Sequence, residues 1–131
     1  NLSNVIAEDD NGEALPLIPA TRLNSTIKAD ISNKGKFQIT NIYFNHIYKF
    51  GQNRIGIFET TTSDYHLLNA GINFKILTKN QPIELRTGVK NILNTNYIDH
   101  LSRLKPMGIS NQGVNFYVGI KFNFDKKMKT K

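Results

Sequence analysis

The sequence predicts an all-β fold: an antiparallel, up-and-down segment of a transmembrane β-barrel with about five long strands. The first observation is segment 114–124, in which apolar and polar residues alternate without interruption, so that a strand would carry one apolar and one polar face. The second is its length, since strands of soluble domains average about 5–6 residues and transmembrane strands about 9–11. The third is that short and long connections alternate along the chain, as turns and loops do in outer-membrane barrels.

The first half of the chain contains a loop and two predicted strands. Pro16 and Pro19 interrupt the region before the first strand, so this region is predicted as a loop. The first strand is predicted at 21–31 and the second at 37–50, with a tight turn of Ser, Asn, Lys and Gly between them. The alternation in the second strand changes phase near residues 40–41, which predicts a β-bulge there.

The second half repeats the arrangement with three more strands. They are predicted at 65–76, 83–93 and 114–124. A short turn joins the first two of these, whereas long polar loops cover 51–63 and 94–113. The lysine-rich tail 125–131 is predicted to be disordered, as dense runs of like charge at chain ends usually are.

Placing the short turns on the periplasmic side sorts the aromatic residues into two belts, as bilayer interfaces favour. The predicted inner belt comprises Phe37, Phe74, Phe122 and Phe124. The predicted outer belt comprises Tyr48, Phe50, Tyr65 and Phe116.

The composition of the chain limits the classes of protein to which it can belong. The 131 residues suffice for one ordinary domain, contain no cysteine and include no apolar run long enough for a transmembrane helix. The net charge of +7 is spread thinly along the predicted strands, which favours solvated faces over a nucleic-acid surface. Residues 1–12 are polar and acidic and do not resemble a signal peptide, so we expect that this chain is a piece of an exported protein.

The sequence offers little chemistry of its own. His46, His66 and His100 are the three histidines, and a metal site from His100 with Asp99 follows no established ligand spacing. Neither Asp64 with His66 nor Asp99 with His100 and Ser102 forms a recognisable catalytic pattern, and no nucleophile elbow or phosphate loop is present. We therefore predict no enzyme activity, no metal and no cofactor.

Four stretches, in order, resemble the C-terminal part of TonB-dependent outer-membrane receptors. They are Leu15–Leu23, the pair Glu59–Thr60 followed by Tyr65–Asn69, Val89–Tyr97, which is similar to the family pattern V-x-N-L-F-N-x-x-Y, and Asn115–Phe124 with its final aromatic. In addition, His100–Lys105 resembles a subset of these receptors linked to metal or haem uptake. The resemblance extends through most of residues 15–124.

The resemblance implies a share in active transport across the outer membrane of a Gram-negative bacterium. The family's barrel is 22-stranded and plugged, and the TonB complex energises it through that plug, which this chain lacks. The substrate would be a scarce small-molecule nutrient such as an iron chelate, haem, a metal ion or a vitamin. The implied partners are the remaining barrel and plug, the TonB complex and outer-membrane lipid, with no nucleic acid.

The same resemblance assigns roles to individual residues. Loops 51–63 and 95–113 would contact the nutrient, with candidate contacts Arg54, Glu59, Asp99, His100 and Arg103. The polar strand faces would line the lumen, with Lys75, Arg86, Lys90 and Lys121 as candidates. Phe124 corresponds to the family's terminal aromatic, although seven residues follow it here.

The alternative is a binding module in the form of a soluble β-sandwich or small barrel, either adhesin-like or oligonucleotide-binding. The direction of the apolar face distinguishes the two interpretations. In a sandwich this face packs against a second sheet, whereas in the receptor it points outward to lipid.

Overall fold

The computed structural model describes residues 1–79 and 81–122, which form one antiparallel sheet in the order β1-β2-β3-β4-β5-β6. The strands are β1 Leu2–Ser3, β2 Arg22–Asp30, β3 Phe37–Lys49, β4 Tyr65–Ile76, β5 Ile83–Lys90 and β6 Asn115–Phe122. Every strand pairs with its neighbours in sequence, which confirms the all-β, antiparallel, up-and-down prediction. Phe124 and the tail 125–131 lie outside the described residues.

Three details of the sheet refine the sequence prediction. The bulge is present, because the β3–β4 register shifts between Ile39 and Asn41. The short strand β1 was not predicted. Strand β5 ends at Lys90 rather than at 93, because Asn91 adopts a left-handed backbone conformation with φ 51° that a strand cannot continue through.

One face of the sheet is apolar from edge to edge. Register places Ile27, Phe44, Ala70, Val89 and Phe116 in one row across five strands. This face is open: Ile27 is 79% exposed and Phe116 77% exposed. No second sheet covers it within residues 1–79 and 81–122, so the described chain is not a two-sheet sandwich.

The two ends of the sheet differ in their connections. Segments 4–21, 50–64 and 91–114 all lie at one end, which we call the long-loop end, whereas 31–36, 77–79 and 81–82 lie at the opposite, short-turn end. Loop 91–114 contains a single 3₁₀ turn, Lys105–Met107. None of the described helical turns is long and apolar enough to cross a membrane.

The aromatic residues near the long-loop end divide between the two faces. On the apolar face, the Tyr48 ring lies 4.6 Å from that of Phe50 and 5.2 Å from that of His66. Tyr65, in contrast, lies on the polar face and is buried, with its ring 4.5 Å from that of Tyr97. The prediction of Tyr65 in an outer aromatic belt is therefore wrong, because its register with Lys49 places it on the polar face.

Candidate functional site on the polar face

Four asparagines form a hydrogen-bonded ladder across the polar face, from β2 to the end of β5. The Asn45 side-chain amide donates to Asn24 Oδ1, and Asn69 Nδ2 donates to Asn45 Oδ1 at 2.9 Å. The ladder ends where the backbone N–H of Asn91 donates to Asn69 Oδ1 at 2.9 Å. We call Asn24, Asn45, Asn69 and Asn91 the asparagine ladder. It exists because antiparallel register brings polar-face residues of neighbouring strands together.

Asn91 connects the ladder to loop 91–114. It is 4% exposed, and its Nδ2 donates to the backbone oxygens of Thr95 at 2.9 Å and Gln112 at 3.2 Å. Its Oδ1 accepts from the Thr95 backbone N–H at 2.9 Å. One side chain therefore closes both ends of the long loop against the sheet.

Two tyrosines meet over two glycines beside the ladder. Tyr43 and Tyr117 reach toward each other from β3 and β6, and their hydroxyls share a hydrogen bond. A Cβ at Gly71 would come within 2.6 Å of Tyr43, and one at Gly88 within 2.5 Å of the Tyr117 hydroxyl. The glycines are therefore required so that both rings can lie across β4 and β5.

A cavity of about 480 Å³ opens on the polar face between the asparagine ladder, the tyrosines and loop 91–114. Its two charged lining residues are Arg22 and Lys90, and no carboxylate lines it. The Lys90 ammonium lies 5.7 Å from the centre of the Tyr117 ring. We call this space the ladder cavity.

Glu59 fixes the tip of loop 50–64. Its carboxylate accepts hydrogen bonds from the backbone N–H groups of Leu17 at 2.8 Å and Gly56 at 2.9 Å. These two bonds lower the pKa of Glu59, because they stabilise its charged form. Next to Glu59, Phe58 is fully exposed and has a left-handed backbone conformation with φ 68°.

His100 is buried between loops 50–64 and 91–114, with its side chain 1% exposed. Its Nδ1 lies 2.8 Å from Thr62 Oγ1 and accepts from Lys105 Nζ at 3.2 Å. Because an ammonium can only donate, Nδ1 is unprotonated and Nε2 carries the proton. Nε2 lies 3.7 Å from a Glu59 oxygen and has no hydrogen-bond partner among the described residues. Burial, aided by Lys105, lowers the pKa of His100.

Asp99 ties loop 91–114 to the sheet. Its Oδ2 accepts from the Tyr65 hydroxyl at 2.7 Å and pairs with Lys49 Nζ at 3.0 Å. Burial alone would raise the pKa of Asp99, but the bonds from Tyr65 and Lys49 outweigh it and hold the pKa below its ordinary value.

The predicted nutrient-contacting residues separate into two groups. Glu59, Asp99 and His100 are engaged in contacts among the loops, and Arg54 pairs with Glu8. Only Arg103 is exposed without a side-chain partner among the described residues. Their contact with a nutrient stays a prediction.

The predicted lumen-facing residues Lys75, Arg86, Lys90 and Lys121 all lie on the polar face. Glu84 lies 3.5 Å from Lys121 and 3.9 Å from Arg86, measured between charged atoms. Neither Lys75 nor Lys90 has an ion-pair partner among the described residues.

Sequence reasoning missed the asparagine ladder, Arg22 and the tyrosine pair. A signal for the ladder is present, since an asparagine recurs on the polar parity of β2, β3, β4 and β6. Asparagines are common in exposed strands, however, and only the register shows which of them meet. Among residues 1–79 and 81–122, no three acidic or histidine side chains are grouped as metal ligands.

The fold defines a class: an open sheet of long antiparallel strands with one exposed apolar face and one polar face partly covered by long loops. Among solved structures, the chain resembles the copper transporter OprC, with a TM-score of 0.70 and 18% sequence identity. The likeness covers 94% of this chain but 20% of OprC, so the chain spans about a fifth of that protein's length. No protein-family model matches the sequence.

Proposed function

We propose that this chain is a segment of the wall of an outer-membrane active transporter in a Gram-negative bacterium. The observation that supports the proposal most is the continuous apolar face, which is exposed across the sheet while the opposite face carries amides and charges. Such a sheet is stable where lipid covers the apolar face and a polar interior faces the other. In water the same face would be a large exposed patch.

The finer features of the proposal follow the family that the sequence resembles. The remaining strands complete a 22-stranded barrel, and a plug coupled to the TonB complex releases the nutrient. The need for further strands is physical, because the open edges of β1 and β6 would leave backbone groups unpaired in lipid at several kcal/mol each. In this proposal the chain has no catalytic role and forms part of the barrel wall and its loops. The candidate residues near the path of the nutrient are Arg54, Glu59, Asp99, His100 and Arg103.

The neighbour's description as a copper transporter favours a metal ion or a metal chelate among the possible nutrients. The described loops supply no ready metal site, since the positive Lys105 lies 3.2 Å from His100 Nδ1. We therefore favour a nutrient that keeps its own ligands.

The test compares strand signal and sedimentation of the chain in buffer and in an alkyl maltoside detergent. We expect aggregation in buffer and cooperative β-structure only in detergent. Two adjacent residues provide a matched pair of variants, since Val118 lies on the apolar face and Gly119 on the polar face.

Val118→Glu should destabilise the detergent-bound sheet by up to about 2 kcal/mol, because it places a charge against the apolar medium. Gly119→Glu should be tolerated, because its side chain has open space and lies opposite Arg86. A monodisperse protein that melts cooperatively in buffer alone, with equal effects of the two variants, would overturn the proposal.

A further inference from the structure

The carboxylates of the polar face are unevenly distributed. Toward the short turns, Glu84 pairs with Arg86 and Lys121, and Lys28 pairs with Asp30 at 2.9 Å. The ladder cavity, in contrast, is lined by Arg22 and Lys90 and by no carboxylate. Neither Arg22 nor Lys90 has an ion-pair partner within residues 1–79 and 81–122. The other polar side chains that line the cavity are mostly amides.

The hydrogen bonds of the asparagine ladder run in one direction only. A backbone N–H can only donate, so Asn69 must present its oxygen to Asn91 and its NH₂ to Asn45. Asn45 must in turn present its NH₂ to Asn24. This uses the side-chain oxygens of Asn24, Asn45 and Asn69 as acceptors within the ladder.

The groups of the ladder cavity that stay free to bind a ligand include hydrogen-bond donors. The Asn24 Nδ2 group has no partner among the described residues, and it lines the same cavity as Arg22 and Lys90. The Tyr43 and Tyr117 hydroxyls are occupied with each other. The cavity thus offers a guanidinium, an ammonium and a free amide as donors.

We propose that the ladder cavity binds a carboxylate of an anionic ligand, with Arg22 and Lys90 supplying charge and Asn24 Nδ2 a third donor. Charge-assisted hydrogen bonds from arginine and lysine to carboxylates are stronger than neutral ones, and arginine can bind a carboxylate through two parallel bonds. The inference rests on the proposed function only in that it narrows the nutrient to an anionic, carboxylate-bearing molecule.

The test measures citrate binding by calorimetry at pH 7.5, in whichever of buffer or detergent gives the chain a β-sheet signal. Arg22→Gln with Lys90→Gln should weaken citrate binding at least about tenfold, since bonds to charged groups are lost. The matched control is Lys75→Gln with Lys121→Gln, which removes the same charge from the short-turn half of the polar face and should change affinity less than about threefold.

Asn24→Asp provides a second, nearly isosteric variant. An aspartate retains the oxygen that accepts from Asn45, so the ladder survives, but the free donor becomes a negative charge. We expect citrate binding to disappear while the unfolding midpoint stays close to that of the parent chain. Retained citrate affinity in Asn24→Asp, or equal loss in the two double variants, would show diffuse charge attraction and overturn the inference.

Two further probes identify the source of the carboxylate. The uncharged triethyl ester of citrate should not bind. If citrate fails but a capped tri-glutamate peptide binds and depends on Arg22 and Lys90, the carboxylate comes from a polypeptide rather than a small nutrient. If neither binds to the folded chain, the carboxylate site is refuted, while the detergent experiment still decides the proposed function separately.

Discussion

The two halves of the polar face differ in the extent of their amide networks and in their ion pairs. Near the long loops, half-buried amides and a buried asparagine form a continuous network from Asn24 to Asn91. Near the short turns, one part-buried amide bond, from Asn73 Nδ2 to Asn41 Oδ1 at 2.7 Å, lies beside ion pairs around Glu84, whose side chain is 32% exposed. Exposed ion pairs contribute about 0–1 kcal/mol and weaken with salt, whereas removing one partner of a buried hydrogen bond costs about 1–3 kcal/mol. We therefore expect the half next to the candidate site to be the more strongly stabilised one.

The largest expected effect is at Asn91. Asn91→Ala removes three side-chain hydrogen bonds and places alanine at φ 51°, so we expect a loss of about 3 kcal/mol in unfolding free energy. Asn91→Gly loses the same bonds without the backbone strain and should recover about 1 kcal/mol of it. Denaturant titration of both variants measures the difference, and equal losses would argue that backbone conformation is irrelevant here.

The second effect concerns Gly88, where the tyrosine pair crosses β5. Gly88→Ala would place a Cβ 2.5 Å from the Ala70 carbonyl oxygen and from the Tyr117 hydroxyl, so strands or rings must move. We expect a loss of about 1–3 kcal/mol in thermal or denaturant unfolding, typical of overpacking.

Gly119→Ala is the matched control for this prediction, because its Cβ would meet only Arg86 Cβ, at 4.0 Å. We expect it to remain within about 0.5 kcal/mol of the parent chain, as surface substitutions do. Equal sensitivity at both glycines would mean that the tyrosine pair does not constrain the sheet.

Much of the fold follows from local patterns, whereas the site depends on register. Alternation in 114–124 and the phase change near Thr40 are local, and the structure has a strand and a bulge there. The ladder cavity requires Asn24, Asn45 and Asn69 to meet, although they are far apart in sequence. Likewise, the end of β5 depends on a left-handed Asn91, which hydrogen bonds to Thr95 and Gln112 stabilise rather than its neighbours in β5.

The third prediction concerns pH and the loops beside the site. His100 has a lowered pKa in the folded chain, so the unfolded chain takes up the proton first as pH falls. Its contribution to stability is complete above about pH 6.5, the ordinary histidine pKa, and is lost as pH falls through the lower folded-state pKa. The charged groups around the ring are Glu59, Lys105, Asp99 and Lys49, of which the carboxylates favour and the lysines oppose protonation.

Unfolding free energy measured between pH 7 and pH 5 checks this prediction, and it should decrease on acidification. His100→Gln should flatten that slope, whereas His66→Gln, which changes an exposed ring on the apolar face, should leave it unchanged. The lowered pKa values of Glu59 and Asp99 place their own effects at more acidic pH. An unchanged slope in His100→Gln would contradict the assignment.

The smallest effect is expected at Glu84, in the ion-paired half. Glu84→Gln leaves Lys121 and Arg86 without their carboxylate, yet their side chains are 55% and 62% exposed and can turn to water. We expect a loss below about 1 kcal/mol at low ionic strength that disappears near 1 M salt, where the screening length falls to about 3 Å. Asn91→Ala should show nearly the same loss at both salt concentrations, because its bonds are uncharged. A salt-resistant loss in Glu84→Gln as large as that of Asn91→Ala would show that both halves of the polar face are stabilised equally, and the contrast between them would fail.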